Sequence, residues 1–131
     1  MGLSVLLDTH VLLWALATPD KLSPAARTLL EDPQTELLVS AVSAWEIATK
    51  HRLGKLPGAE PIISAYAAHL ITLGAHELPM TSAHALAAGS FVVQHRDPFD
   101  RMLAAQAIIE GVLLITSDPA MALFSGLMTQ W

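Results

Sequence analysis

Three short runs dominated by aliphatic residues, LSVLL at 3–7, ELLVS at 36–40 and GVLLIT at 111–116, recur along this chain with helix-like stretches between them. A strand that is apolar at consecutive positions has no face to offer to water, so both of its faces need a covering layer. Such strands belong in a parallel sheet whose crossovers are helices, and the alternation of the two patterns predicts an α/β fold. The intervening stretches carry recognisable helix ends. SPAARTLLED opens with Ser23 as N-cap and Pro24 in the first turn, and SAWEIATKHRLG is predicted to start at Ser43 and stop at Gly54. EPIISAYAAHL places Ile62, Tyr66 and Leu70 on one helical face, TSAHALAAG runs from Thr81 to Gly89, and DPFDRMLAAQAIIEG from Asp97 to Gly111. The closing GLMTQW is predicted to add a last strand.

With 131 residues, 53% of them hydrophobic, the chain has the size and apolar content of one domain spanning 1–131. The longest clear apolar run, VLLWALA at 11–17, falls well short of the ~18 residues that a membrane span needs. No membrane association is expected, and the hydrophobicity is assigned to an interior and a subunit interface. MGLSVLLD lacks the basic segment of a secretory signal, so the expectation is a cytoplasmic protein that keeps its start. The absence of cysteine excludes disulfide frameworks, zinc thiolates and cysteine nucleophiles, which leaves oxygen and imidazole as metal ligands. A formal net charge of −5 is the wrong sign for an ordinary nucleic-acid binder.

The acids have structural explanations when taken singly. Asp97-Pro98 is an N-cap followed by a first-turn proline, and Asp100 then sits where a carboxylate favours the helix dipole. Ser43-x-x-Glu46 matches a capping box, Glu46 and Lys50 form an i,i+4 pair, and Asp118-Pro119 is another cap. Asp8 is harder to account for, as either an Asx turn or a neighbour of a Thr9 cap. In a parallel open sheet, however, residues after strands and at the starts of helices gather on the carboxyl edge, where such folds place their sites. Asp8, Glu46 and Asp118 each follow a predicted strand, and Asp100 opens the helix that leads into the third. Carboxylates gathered there repel one another unless a cation sits among them, and Mg2+ or Mn2+, which take oxygen ligands, are the economical choice. Capping and metal ligation are compatible readings of the same residues.

LLDTH (6–10), SAVSAWEIATKHRLGKL (40–56), HRDPFDRMLAAQA (95–107) and LLITSD (113–118), in this order and each with its acid, resemble the PIN-domain ribonucleases, and within them the VapC toxins of type II toxin–antitoxin systems. The resemblance covers nearly the whole chain. It implies a three-layer α/β/α domain around a parallel sheet, with Asp8, Glu46, Asp100 and Asp118 as the catalytic acids that bind Mg2+ or Mn2+. It matches Thr9 to the family hydroxyl after the first acid, sets Thr116 or Ser117 beside the last, and leaves Asp97 in a supporting position. It further implies RNA cleavage, a homodimer and silencing by a cognate VapB-type antitoxin. Two departures, His10 after Asp-Thr and the apolar loop GSFVVQ before HRDPFD, bear on substrate fit and touch none of the acids.

The expected reaction is hydrolysis of an RNA phosphodiester by a metal-activated water. Asp8 and Asp100 would be central ligands, Glu46 would hold the metal or orient the water, and Asp118 would support the cluster. His10 and His95 are read as loop or surface residues with a catalytic part left open, and His51, His69, His76 and His84 carry no signal. The four site carboxylates account for all but one of the net negative charges, so the remainder of the chain is nearly neutral. Lys50, Arg52 and Lys55 after Glu46, with Arg96 and Arg101 beside the aspartates, are candidate phosphate contacts, balanced against Lys50 simply pairing with Glu46. Trp14, Trp45, Phe91 and Phe99 are assigned to packing rather than base stacking.

Two other functional classes fit less of the pattern. A phosphate-transferring domain of haloacid dehalogenase or receiver type places aspartates after strands too, but those pair acids after the first strand or follow a late strand with lysine; here Asp-Thr-His has one acid and no lysine follows Lys55. A PIN-like binding module without catalysis would have no need of all four acids.

Overall fold

The computed structural model describes residues 2–131, and Met1 lies outside the described residues. Five strands, β1 (Ser4–Leu7), β2 (Glu36–Ser40), β3 (Ala75–Leu78), β4 (Leu113–Ile115) and β5 (Thr129–Gln130), form one sheet in the order β3-β2-β1-β4-β5. Every pairing is parallel. Seven α-helices connect them: α1 (Thr9–Ala17), α2 (Pro24–Glu31), α3 (Ala41–Arg52), α4 (Glu60–Ser64), α5 (Tyr66–Leu73), α6 (Ser82–Ser90) and α7 (Pro98–Glu110). Short 3-10 turns lie at Pro19–Lys21 and Pro119–Leu123.

Consecutive strand residues serve opposite layers, as a sheet covered on both faces requires. Val5 and Leu7 of β1, with Leu37 and Val39 of β2 and Ile115 of β4, pack with Val11 and Leu12 of α1, Ala26 of α2 and Leu70 of α5. Leu6 and Leu114 point the other way, onto Leu103, Ala104 and Ala107 of α7 and onto Met121 and Phe124. Helix α3 serves both layers, contributing Ile47 to the first core and Val42 to the second. The result is the three-layer α/β/α arrangement expected from the sequence.

The predicted strands fall within two residues of the observed ones, and the closing run does supply β5. Three details differ. Helix α3 begins three residues earlier than expected, because Ser40 is both the last residue of β2 and the N-cap, its Oγ accepting from the Val42 N–H at 3.0 Å. Ser43 is therefore fully buried inside the helix, no capping box forms with Glu46, and Glu46 sits on the second turn. The stretch 60–73 is two helices broken at Ala65, although Ile62 and Leu70 are both buried as the spacing required. Strand β3 carries no apolar run. It lies at the sheet edge, where Ala75-His76-Glu77-Leu78 needs only one neighbour and is largely exposed.

Strand order fixes where a site can form. From β1 the chain steps to β2 and β3 on one side and then to β4 and β5 on the other, so the crevice at the carboxyl ends of β1 and β4 is the switch point of the sheet. Helix α7 returns toward β4 and starts at this same edge. Its ends are defined by Asp97 at the N-cap and by Gly111, whose φ of 67° closes the helix in a left-handed conformation that glycine adopts without Cβ strain.

Candidate active site

Register delivers the first acid. Leu7 pairs with Ile115 across β1 and β4, so the next residues, Asp8 and Thr116, lie side by side where both strands end. The Asp8 N–H continues the ladder by donating to the Ile115 carbonyl at 3.0 Å, and the Thr116 hydroxyl donates to Asp8 Oδ2 at 2.6 Å. Asp8 occupies the N-cap position of α1 but its side chain makes no capping bond. Its carboxylate is buried without the service that ordinarily explains an aspartate there.

The other acids arrive from the elements that start at this edge. Helix α3 carries Glu46 inward from the end of β2, 2% exposed and paired with the Lys50 ammonium one turn on. Asp97 caps α7, its Oδ1 accepting from the Phe99 and Asp100 N–H groups at 2.9 and 3.2 Å, which leaves the Asp100 carboxylate free of capping. Asp118 caps the 3-10 turn after β4 through Ala120, and its own N–H donates to Thr116 Oγ1.

One cavity of about 170 Å3 is lined by Asp8, His10, Glu46, Lys50, Asp97, Asp100, Ser117 and Asp118. Its carboxylates feel one another. Burial, reinforced by Asp97, Asp8 and Glu46 and opposed by a hydrogen bond from His95, pushes Asp100 up to about 6. Burial likewise raises Asp8, with Glu46 adding to the rise and Thr116 opposing it. For Lys50 burial works against the charged form, yet Glu46, Asp97 and Asp100 outweigh it and hold the ammonium above its ordinary range. Each shift records an excess of negative charge in a poorly solvated space.

The remaining candidates divide. Thr9 is buried and does not line the cavity, its Oγ1 sharing a hydrogen bond with Ser43 Oγ at 2.9 Å and so joining α1 to α3. Thr116 supports Asp8 directly instead of merely standing beside the last acid. Arg52 and Lys55 are exposed and do not line the cavity. Arg96 lines a separate hollow of about 500 Å3 with Gly89, Val93, Gln94, His95 and Arg101. Arg101, a candidate phosphate contact, spends its donors on backbone carbonyls: Nε donates to Ala88 O, Nη1 to Val93 O and His95 O, and Nη2 to Phe91 O. Four of its five N–H groups are committed to backbone carbonyls, one at the end of α6 and three in the loop preceding α7.

Two histidines do more than the sequence revealed. His95 hydrogen-bonds Asp100 Oδ2 at 2.7 Å, and buried His84 accepts the Thr81 N–H at Nδ1 while its Nε2 meets Glu110 at 3.1 Å. The Thr81–His84 contact is the reciprocal half of a capping box at the N-cap and N3 spacing, whereas no spacing rule would have found the bonds to Asp100 and Glu110. Trp45, assigned to packing, stands 57% exposed with its ring edge-on to Phe99 at 4.9 Å.

The PIN domain model matches residues 5–127. The chain belongs to the PIN domain family. Ribonuclease VapC22 of Mycobacterium tuberculosis is 37% identical over 118 residues, 88% of this chain and 87% of that protein. A DNA-bound VapBC structure from Salmonella typhimurium superimposes with a TM-score of 0.69 at 17% identity, over 98% of this chain and 97% of that one. VapBC2 from Rickettsia felis, bound to a fragment of its promoter, gives 0.68 at 15% identity over 98% of each chain. At these identities the two structures share the fold of this PIN domain.

The donor set suits a hard divalent cation. Glu46 Oε1 is buried with no hydrogen-bond partner, an orphan oxygen on a residue that lines the cavity. Such an atom is costly unless a ligand meets it. Among the described residues no three acids or histidines already stand as a ligand set. The reason is visible in their partners: Lys50 takes Glu46 Oε2, His95 takes Asp100 Oδ2 and Thr116 takes Asp8 Oδ2.

Proposed function

We propose that this PIN domain, taking residues 1–131 as one unit, is a metal-dependent endoribonuclease toxin of a type II toxin–antitoxin pair, a hydrolase of RNA phosphodiester bonds. The observation that carries the proposal is the convergence of Asp8, Glu46, Asp100 and Asp118 on one cavity at the switch point of the sheet. Kinship over most of its length with a protein named a ribonuclease supports the activity. Structural likeness to VapBC assemblies supports a VapB-type antitoxin as its partner.

Asp8, Asp100 and the orphan oxygen of Glu46 would hold Mg2+ or Mn2+, with the exposed Asp118 adding negative charge to the same cavity. When bound, the ion supplies positive charge against the phosphate oxygens and makes a water more acidic. The chain does the rest. Thr116 fixes the orientation of Asp8 from below, and Asp97 sets the start of α7 so that Asp100 faces the same space. Lys50, already among the carboxylates, is placed to exchange Glu46 for a substrate phosphate when the acids are neutralised. Arg96, in the hollow that also holds His95, and the exposed Arg52 and Lys55 are further candidates for phosphate contact. Hydrolysis forms one O–P bond from water and breaks another, with the leaving ribose oxygen accepting a proton.

No helix among the described residues is long and apolar enough to cross a membrane. The proposed setting is the cytoplasm, where RNA and antitoxin are available, and the proposed assembly is a homodimer. The test is cleavage of a defined RNA by purified protein with and without Mg2+ or Mn2+. Metal-stimulated cutting that is lost in Asp100→Asn supports the activity; RNA left intact under all metal conditions identifies a binding module.

A further inference from the structure

We propose that His95 is a positioning residue for the nuclease site, fixing the Asp100 carboxylate from behind so that one of its oxygens is presented to the metal. The proposal rests on the assignment of Asp100 as a metal ligand and extends it to a side chain outside the four acids. Three features carry it.

The first is the contact itself. His95 Nε2 and Asp100 Oδ2 lie 2.7 Å apart, and both side chains are largely buried, 15% and 16% exposed. A carboxylate accepts, so the proton is on Nε2, and Oδ1 of Asp100 has no hydrogen-bond donor among the described residues. The two oxygens thus have different assignments, one tied to protein and one available.

The second feature is location. Asp100 lines the acid cavity, whereas His95 lines the adjacent hollow with Arg96 and Arg101. His95 stands behind Asp100 as seen from the cavity, the place of an outer hydrogen-bond partner and not of a ligand or a base acting on water.

The third is that His95 is itself held. It lies in the stretch between α6 and α7, which has no ladder of its own, yet Arg101 Nη1 donates to the His95 carbonyl at 3.0 Å while its other N–H groups take Ala88, Phe91 and Val93. The imidazole packs edge-on against buried Phe124, with ring centroids 5.5 Å apart, and Phe124 in turn meets Phe91 at 5.1 Å. Backbone and ring are both fixed before Asp100 is engaged. A side chain placed only to close the loop would have no need of an N–H aimed at an acid of the cavity.

The test is Mn2+ affinity by titration calorimetry on purified wild type, Asp100→Asn, His95→Phe and His95→Gln, with circular dichroism and thermal unfolding of each metal-free protein. His95→Phe keeps a ring against Phe124 and removes the donor, and should weaken Mn2+ binding on the order of tenfold. His95→Gln restores an N–H near the Nε2 position and should bind close to the wild-type value. His95→Leu repeats the first arm if the phenylalanine variant loses its fold. Wild-type binding in the variants lacking the donor overturns the proposal, as does a glutamine variant no better than they are. If Asp100→Asn binds Mn2+ as wild type does, the ligand assignment beneath the proposal fails instead, and the two failures are distinguishable.

Discussion

The Thr116 hydroxyl donates to Asp8 Oδ2 at 2.6 Å and accepts the Asp118 N–H at 3.1 Å, so one buried side chain joins the acid after β1 to the acid after β4. Parallel register makes the link, since the strands end level with each other. Thr116→Val keeps the shape and removes both bonds. The expected loss is about 1–3 kcal/mol of unfolding free energy, because Asp8 and the Asp118 N–H lose their partner in a poorly solvated place. Urea unfolding measures it. An unchanged midpoint would show that water replaces the hydroxyl without cost.

Asp97 and Asp100 separate by role despite their proximity. Asp97 accepts two backbone N–H groups at the start of α7, and asparagine caps about as well. Asp100 caps nothing and faces the other acids. Asp100→Asn should reduce metal-dependent RNA cleavage on the order of 100-fold and relieve growth arrest on expression without antitoxin, with the fold retained. Asp97→Asn should cut RNA nearly as wild type does. The reverse ranking would mean that the two roles are interchanged.

The parts legible in the sequence were those that burial or local bonding dictates. Strands β1, β2 and β4 are covered on both faces, so their aliphatic runs announced them, and Asp97 and Gly111 marked the ends of α7 through cap chemistry confined to adjacent residues. Edge strand β3 buries little and left no such trace. Ser43 misled because a serine three residues before a glutamate resembles a cap, while the helix had already begun at the end of β2. Arg101 looked like a free cation because its acceptors are carbonyls, which every residue has, brought to it by a fold-back of the loop. His84 reaches Glu110 through tertiary packing and His95 reaches Asp100 through the path of the loop before α7, and composition carries no sign of either.

The crowding of acids has a pH signature. Asp100 stands near 6 in the folded chain against 3.8 for an ordinary aspartate, so the folded state binds its proton more tightly than the unfolded state does. This group therefore takes stability away from the metal-free protein as pH rises from about 4 through 6, and Asp8, shifted in the same direction, adds to the loss. A metal competes with that proton and relieves the repulsion, so its affinity should climb through pH 6 and then level. Thermal unfolding with and without Mn2+ at roughly pH 5 and pH 7.5 checks this. The stabilisation should be clearly larger at the higher pH, and equal increments would contradict the assignment.

Several large apolar side chains remain exposed, among them Ile71, Leu86 and Val92, more than a chain with two filled cores needs to leave in water. A homodimer that covers part of this surface is the expected state. Light scattering at micromolar concentration should return twice the chain mass of 14.0 kDa. A strictly monomeric value counts against it.

Arg101 provides the sharpest test of how the site is kept in shape. Its guanidinium serves four carbonyls from Ala88 to His95 and lies over the Phe91 ring at 5.8 Å, an arrangement that depends on a planar fork with donors on three nitrogens. Arg101→Lys preserves the charge, yet a single ammonium with three donors at one point cannot reach acceptors spread across the loop. Carbonyls left without donors in a partly buried setting should cost about 2–4 kcal/mol, read from urea unfolding. If Arg101 instead served RNA phosphates, lysine would substitute with little effect on stability, and the loss would appear as a rise in KM and a shallower salt dependence of RNA binding. A stability loss in the absence of RNA assigns Arg101 to holding the backbone from Ala88 to His95.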